Sequence, residues 1–533
     1  MGLTLCSVVC SILSCLYLAR HLYPNDGKLP QKLSALNIFS FFMALTILSS
    51  NIFQFFVCIE ILGIISSILV GIENNAEKES RNVLLFSKFA SLLFFIAVCM
   101  IGLKVGSFEF IDIKNFCRSS DYRSLFIPAV FLVISCFCKG AQLPFSRWLI
   151  DAVKANTFVS ILMHTATIVG VGVIFITKCS FIFDRFQSIR NAMIYTGIAT
   201  ALWMGCSALS HNNVKKIMAC LTSASTGLMF VVCGIGNVSV AILYFVCHAF
   251  FKSILFLSFA YVIAAASGER NILKMGGLSK FIPKISDIIW ISFLAAAGFP
   301  FCVGFFAKIS FAGALQLYGS ISLILTNALV NILTVSAIFR MILVSLYGSP
   351  RTDDKTLSRA PGINAYSTSS VWLLIGIAVF ESFVAWSMYE WGELHFELDE
   401  MMACSRNFFD YFMEDISELA QILISIISVW VLMRYSKTRI GTTSAKVFYE
   451  LFRKKGVNFR IQSYIKNTSI SAVTMISGCD QKFFDILQKS LLKSLRGTQL
   501  FLSRRHGESI SSHVGWIIVG IAVNFVSILM WQK

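Results

Sequence analysis

The sequence predicts an all-α membrane protein that crosses the bilayer many times. Hydrophobic residues make up 56% of its 533 residues, and the mean hydropathy is +0.74. Only 14% of the residues are charged, against roughly 25% in soluble proteins. Apolar runs of about 20 residues, each long enough to cross a bilayer, recur along most of the chain. The alternating pattern typical of a transmembrane barrel does not occur.

Hydropathy predicts about fourteen membrane-spanning helices. The first is interpreted as a true span rather than a removable signal peptide, because Arg20 and His21 follow its apolar run instead of preceding it. The predicted spans are 2–20, 33–49, 52–72, 83–104, 124–146, 157–178, 191–209, 214–234, 238–264, 285–308, 318–347, 369–389, 416–434 and 514–531.

The net charge of +17 indicates orientation rather than nucleic-acid binding, because most of it lies in one segment between spans. Residues 435–513 contain fourteen Lys or Arg and four Asp or Glu. Within that segment, 483–495 has apolar residues at helical spacing, which predicts a lateral amphipathic helix; an ordinary solvated helix is the alternative. The loops after odd-numbered spans are richer in Lys and Arg than those after even-numbered spans, so they are predicted to face the cytoplasm or matrix.

Two predicted spans combine a lysine with a proline. The fifth contains Lys139 and Pro144, and the tenth contains Pro300 and Lys308. A lysine at the bilayer centre costs at least ~2.5 kcal/mol, and a proline breaks the helix by removing a backbone donor. The two breaks are five spans apart, and because five is odd the chain crosses the membrane in opposite directions at the two breaks. The pattern predicts two inverted five-helix repeats, each with a broken helix, and an ion site near the midplane.

Seven titratable side chains lie inside otherwise apolar spans. Each has a structural alternative: His164 can be a neutral side chain bonded to a neighbouring helix, and Lys88 and Lys308 can extend to the interface. His248 and Lys252 are four residues apart and share a helix face. Together, the alternating acidic, basic and imidazole groups predict a proton relay. The seven are Glu60, Lys88, Lys139, His164, His248, Lys252 and Lys308.

The sixteen cysteines lie mostly in apolar runs and are interpreted as small apolar residues. The sequence has no C-x-x-C motif and no Cys/His cluster with metal-ligand spacing, so no zinc, haem or iron–sulfur site is predicted. No glycine-rich dinucleotide motif follows a strand, so NADH binding by this chain is not expected.

Several motifs between about residues 50 and 345 carry a resemblance to a known family. The most specific run is Gly140-Ala141-Gln142-Leu143-Pro144-Phe145 with Trp148, Leu149, Asp151 and Ala152, followed by 159–167. Others are 214–219, 248–257, 274–278, 300–308 and 339–342. These runs resemble the antiporter-like subunits of respiratory NADH:quinone oxidoreductase (complex I), most of all subunit 5 or chain L. Mrp-type cation/proton antiporters share the same core.

The resemblance implies a role for each intramembrane residue. Glu60 would pair with Lys139, His164 would bridge to the central pair His248 and Lys252, and Lys308 would be the terminal lysine. The implied relay is Glu60, Lys139, His164, His248, Lys252 and Lys308, with Lys88 and Lys215 in support and helix breaks at Pro144 and Pro300.

The sequence also departs from the family pattern. Lys88 replaces an arginine and Ser91 an aspartate, and the family's first two spans are expected to have no counterpart. The other departures are Asn156 and Phe158 for two prolines, Asn213 for an acidic residue and Tyr244 for a histidine.

The leading hypothesis is a proton-translocating membrane subunit of NADH:quinone oxidoreductase in a bacterial or mitochondrial inner membrane. NADH, FMN, iron–sulfur clusters and quinone would then be bound by partner subunits, and none by this chain. The alternatives are a subunit of a multisubunit cation/proton antiporter and a divergent structural paralogue that does not pump. The predicted organisation is N-terminal spans (1–50), two half-channel repeats (33–178 and 191–347), C-terminal spans with an acidic loop (348–434), the basic lateral segment (435–513) and an anchoring span (514–533).

Overall fold

The computed structural model describes residues 26–165, 168–299 and 302–348, and this part of the chain is mostly helical. Within it, eight helical segments are long and apolar enough to cross a membrane, which confirms the all-α polytopic class. The α-helices are α1 (Leu29–Leu48), α2 (Ile52–Gly71), α3 (Glu77–Val105), α4 (Phe110–Phe116), α5 (Phe126–Lys139), α6 (Arg147–Ala152), α7 (Thr157–His164), α8 (Val171–Lys178), α9 (Ser180–Phe183), α10 (Gln187–Ser210), α11 (Val214–Ile235), α12 (Val238–Ala265), α13 (Pro283–Ala297), α14 (Val303–Tyr318) and α15 (Ile321–Leu346).

Most predicted spans in the described region overlap single helices, namely α1, α2, α3, α10, α11, α12 and α15. The predicted span 157–178 contains two helices rather than one, because α7 ends at His164 and α8 starts at Val171. The span predicted at 285–308 is wrong in extent, because α13 ends at Ala297 and α14 continues to Tyr318. The predicted spans 2–20, 369–389, 416–434 and 514–531 and the segment 435–513 lie outside the described residues.

The break predicted at Pro144 is confirmed, since α5 and α6 are separated by a non-helical turn. Side chains of α11 satisfy the backbone oxygens that this turn leaves without helical partners. Thr226 Oγ1 donates to Gly140 O at 3.1 Å, and Ser223 Oγ donates to Ala141 O at 2.6 Å. Buried polar backbone groups without such partners would be costly in a bilayer. The turn is therefore held in place by the helix beside it.

Loops at one end of the bundle contact one another. Lys215 Nζ, in the first turn of α11, donates to Ala155 O at 2.8 Å. Lys154 Nζ lies 3.7 Å from Glu79 Oε1 in the first turn of α3. We call this end the basic face; it comprises the first turn of α3 and the loops 153–156, 211–213 and 266–282.

Two helix pairs, α2–α3 and α11–α12, have the same kind of cap at their start and the same kind of bridge after their second helix. Asn51 caps α2 and Asn213 caps α11, each through its side-chain oxygen. Asn51 forms an isolated β-bridge with Glu109 beyond α3, and Asn213 forms one with Asn271 beyond α12. Equal lengths of chain separate the two asparagines and their two bridge partners. The pairs α2–α3 and α11–α12 thus share one local design.

The helices α10 and α11 pack closely against each other. A methyl group added to Gly197 would lie 2.4 Å from Gly227 O, a backbone atom that cannot move aside. Small residues allow this approach, as is usual where helices pack inside a membrane. The contact brings Thr200 of α10 to the broken turn, where its Oγ1 accepts from Leu143 N at 3.0 Å.

Candidate functional site

Lys139 is the last residue of α5, and its side chain is only 4% exposed. Its Nζ donates to Ser87 Oγ on α3 at 2.8 Å. A small cavity beside this pair, lined also by Phe86, Trp148 and Ile168, offers about 10 Å³ to the centre of a water molecule. That is close to the least space in which one ordered water fits. A buried amine next to such a space is placed to exchange a proton with water.

Glu60 of α2 forms an ion pair with Lys88 of α3. The expected pairing of Glu60 with Lys139 is therefore wrong for this conformation, because Lys88 is bonded to the carboxylate and Lys139 is bonded to Ser87. Ser87 and Lys88 are neighbours on α3, so their side chains leave the helix in different directions. The side chains of Lys88 and Glu60 are 46% and 22% exposed, whereas Lys139 is enclosed.

His164 ends α7 and is fully enclosed. Its ring stacks on Phe256 of α12, with centroids 5.4 Å apart and planes at 13°. Neither ring nitrogen has a hydrogen-bond partner among the residues that the structure describes. The helix ends at His164, so the imidazole lies at a second interruption of the helical backbone that the sequence did not predict.

The predicted pair of His248 and Lys252 lies on α12, and both side chains are buried. The ring of His248 packs edge-to-face against Phe251, with centroids 5.4 Å apart. His248, His164 and Lys252 lie close enough together for their charges to interact. Lys215 also acts on His164. The structure thus brings together four predicted residues from α7, α11 and α12. This group, His164, Lys215, His248 and Lys252, is called the central cluster below.

Lys308 lies in α14, just after the break between α13 and α14. Its Nζ donates to Ala297 O at 2.8 Å, so the lysine caps the last carbonyl of α13 from across the break. Gly298 makes room for it, since a methyl group there would lie 2.6 Å from Cδ of Lys308. The predicted break residue Pro300 lies outside the described residues. Lys139 lies before the break between α5 and α6, whereas Lys308 lies after the break between α13 and α14.

Sequence reasoning missed a buried carboxyl near Lys139. Asp151 of α6 accepts a hydrogen bond from Asn82 Nδ2 of α3 at 3.0 Å, and Arg147 Nε lies 3.5 Å from its other oxygen. The sequence feature that could have identified Asp151 is its position directly after a broken span. Asp151 entered the sequence analysis only as part of a motif, because hydropathy places 147–156 in a loop.

Lys178 was also missed, and its contacts are structural. The Nζ of this residue, the last of α8, donates to Ser49 O at 2.8 Å and lies 5.7 Å from the ring centroid of Phe110. It therefore caps the end of α1, as a lysine commonly does at a helix C-terminus. A variant of Lys178 is therefore a suitable control for variants of the relay lysines.

His211, on the basic face, is a histidine outside the spans. Arg340 Nη1 donates to its backbone oxygen at 2.9 Å, and Arg340 Nη2 donates to Asn212 Oδ1 at 2.6 Å. Burial, together with the positive charges of Lys216, Arg147 and Arg340, lowers the pKa of His211 to about 4. The imidazole is therefore neutral at physiological pH.

Residues 49–334 match a family of transmembrane proteins described as NADH:quinone oxidoreductase/Mrp antiporter. The chain belongs to this family. The match contains all the intramembrane titratable residues discussed above, and it confirms the resemblance seen in the motifs.

Curated relatives extend the comparison. The chain is 32% identical over 305 residues to NADH-ubiquinone oxidoreductase chain 5 of Metridium senile, covering 56% of this chain and 51% of that protein. It is 29% identical over 384 residues to NADH-quinone oxidoreductase subunit L of Campylobacter jejuni, covering 71% and 64%. The chain thus spans about half to two thirds of the length of these relatives.

Two solved structures share the fold. The Mrp complex from Dietzia sp. DQ12-45-1b contains a chain that matches with a TM-score of 0.67 and 19% identity, covering 93% of this chain and 52% of that one. An archaeal membrane-bound sulfane sulfur reductase matches with a TM-score of 0.63 and 16% identity, covering 73% and 80%. At these identities the likeness concerns the fold alone.

Proposed function

We propose that the chain is a proton-translocating, antiporter-like membrane subunit of NADH:quinone oxidoreductase. The observation that carries the proposal is the row of enclosed basic groups at or near helix interruptions. Lys139, the central cluster and Lys308 lie in or beside three of these interruptions. Intramembrane ionisable residues that face the protein interior mark ion pathways in membrane proteins.

The chemistry follows from how these groups are held. Among the described residues, Lys139, Lys215 and Lys252 form no salt bridge with a carboxylate. Lys139 and Lys215 are bonded instead to neutral oxygens, of Ser87 and Ala155. A desolvated lysine without a counter-ion releases its proton more readily than one in an ion pair. Protons would pass between these groups through water that enters the gaps in the helices.

The organisation into two inverted repeats, 33–178 and 191–347, forms part of the proposal. The matching asparagine caps of α2 and α11, and their matching bridges, support it. So does the occurrence of one lysine at each break, before the gap in one repeat and after it in the other. In transporters built this way, the ion site lies where the two repeats meet.

The redox chemistry would take place in partner subunits, which would bind NADH, FMN, iron–sulfur clusters and quinone. The membrane would be a bacterial or mitochondrial inner membrane, with the basic face towards the cytoplasm or matrix. Glu60 and Lys88 lie at the partly exposed edge of the bundle, where their ion pair would respond to a neighbouring subunit or to a change in charge at Lys139.

The alternative is a subunit of a multisubunit cation/proton antiporter. This alternative is supported by the fold that the chain shares with the Mrp complex over 93% of its length. The two functions differ in what drives transport: electron transfer in the first case and a cation gradient in the second. A purified complex that acidifies proteoliposomes only when given a sodium gradient would support the antiporter.

The test uses the intact complex purified with the full chain and reconstituted in proteoliposomes. The Lys139→Ala variant should lower NADH-driven proton transport about tenfold or more, since a positioned acid–base group contributes ~10²–10⁴-fold. Lys178→Ala is the matched control, because it removes a lysine of structural role. A complex that assembles and transports normally with Lys139→Ala would show that this chain does not pump through the proposed relay.

A further inference from the structure

Lys32, in the first turn of α1, lies buried between two carboxylates. Its Nζ is 2.8 Å from Asp26 Oδ2 and 2.6 Å from Glu73 Oε1, and its side chain is only 3% exposed. The hydrogen bond from Lys32 lowers the pKa of Asp26, so that carboxyl is charged at physiological pH. One lysine thus has two acidic partners, of which one alone would neutralise it.

Contacts between loops place the second partner, Glu73, near the start of α11. Lys215 Nζ donates to Ala155 O at 2.8 Å, and the preceding residue, Lys154, lies 3.7 Å from Glu79 Oε1. Glu79 is in the first turn of α3, and Glu73 is in the turn that leads into this helix. Glu73 and Lys215 lie close enough together for their charges to interact.

Lys215 is completely buried, and two positive charges act on it. Arg270 lies in the loop after α12, and its backbone oxygen accepts from Val214 N at 2.9 Å, which holds that loop beside the first turn of α11. Burial and the charges of Arg270 and Lys32 disfavour a proton on the Lys215 amine, whereas the charge of Glu73 favours one.

We propose that Glu73 stabilises the protonated form of Lys215 from the edge of the basic face. This inference rests on the proposed function, in which Lys215 belongs to the central cluster and acts on His164. Glu73 is a positioning residue: it acts through its charge, and Lys32 holds its carboxylate in place.

The second carboxylate on Lys32 explains how this arrangement works. With Glu73 as its only partner, Lys32 would cancel the charge that reaches Lys215. Asp26 supplies the additional negative charge, so the group of three keeps an excess of one. Lys215 can then take up a proton on the side of the membrane where the basic face lies, despite its burial and the charge of Arg270.

The experiment compares Glu73→Gln with Asp26→Asn in the reconstituted full complex. The pair is matched, because each variant removes one carboxylate from Lys32 and the two side chains are 24% and 23% exposed. The rate of NADH-driven proton transport is measured over a range of pH and divided by the wild-type rate at each pH. We expect transport by E73Q to fall off at a pH lower by about half a unit or more, since the ammonium form loses a favourable charge. D26N should follow the wild type much more closely.

Two further variants test the direction of the effect and its target. Arg270→Gln removes a positive charge but keeps the backbone oxygen that bonds to Val214 N, so its fall-off should move to higher pH. In a Lys215→Met background, Glu73→Gln should cause no further shift in the residual transport, because the group on which it acts is gone.

The outcomes separate the inference from the proposed function. Equal pH profiles for E73Q and D26N overturn the role of Glu73, as does a shift of R270Q in the same direction as E73Q. A shift by E73Q that persists in Lys215→Met also overturns it, because the charge would then act on another group. In each of these cases a deficit in Lys139→Ala leaves the relay standing. Normal transport by Lys139→Ala overturns the proposed relay itself.

Discussion

The ion pair of Glu60 and Lys88 shows how far single residues could be predicted. That Glu60 would need a basic partner followed from its place in an apolar helix. The sequence did not show which lysine would be that partner, because Lys88 and Lys139 both lie near Glu60 in the folded chain. The directions in which Ser87 and Lys88 leave α3 decide between them. Residue types in a membrane span are informative one by one, whereas their partners depend on how the helices rotate against each other.

A double-mutant cycle should detect this pairing. Glu60→Gln and Lys88→Met each remove one half of the ion pair, so the second change should add little to the first in the reconstituted proton-transport assay. The pair Glu60→Gln and Lys178→Ala provides the control cycle and should be additive, since Lys178 contacts Ser49 instead. Additive effects of Glu60→Gln and Lys88→Met would contradict the ion pair as a functional unit.

At the scale of helices, the sequence predicted one interruption well and missed another. Pro144 gives a local chemical reason for the break after α5, because it lacks a backbone donor. The gap between α7 and α8 contains no proline, so hydropathy does not distinguish it from a continuous span, although Thr, Ile, Val and Gly are weak helix formers. At the end of α7 the ring of His164 stacks on Phe256 of α12.

The close contact of α10 with α11 gives a prediction about stability. Gly197→Ala should destabilise the complex, because its methyl group would meet the backbone oxygen of Gly227 at 2.4 Å; overpacking of this kind costs about 1–3 kcal/mol. Gly205→Ala on the same helix is the control, since its nearest neighbours are side-chain atoms of Leu333 at 3.1 Å or more. Thermal denaturation of the purified complex should show the larger loss for Gly197→Ala.

At the scale of the molecule, the broken turn after α5 is held by α10 and α11. Thr200 of α10 accepts from Leu143 N, and Gln142 Nε2 donates to Thr226 Oγ1 of α11 at 3.0 Å. The sequence predicted two half-channels and a break in each, but it could not predict that α11 would supply the hydrogen bonds for the first break. A movement of α10 or α11 would therefore alter the turn beside Lys139.

Removing one of these bonds should loosen the turn. Ser223→Ala leaves Ala141 O without its side-chain donor, and an unsatisfied buried carbonyl costs about 1–3 kcal/mol. Ser225→Ala is the control on the same helix, because its hydroxyl donates to Leu221 O within α11 rather than to the turn. Hydrogen exchange at residues 140–146 should become faster in Ser223→Ala and stay unchanged in Ser225→Ala. Equal exchange in both variants would contradict the role of α11 as the support of the turn.

The small size of the cavity beside Lys139 has a consequence for leakage. A space for about one water between Phe86 and Trp148 is too narrow for a hydrated metal cation, which would have to shed most of its water shell to enter. It also holds too few water molecules to form a continuous hydrogen-bonded path for protons. In the conformation described, this cavity therefore holds Lys139 apart from any continuous file of water, and ions that reached it would stop there.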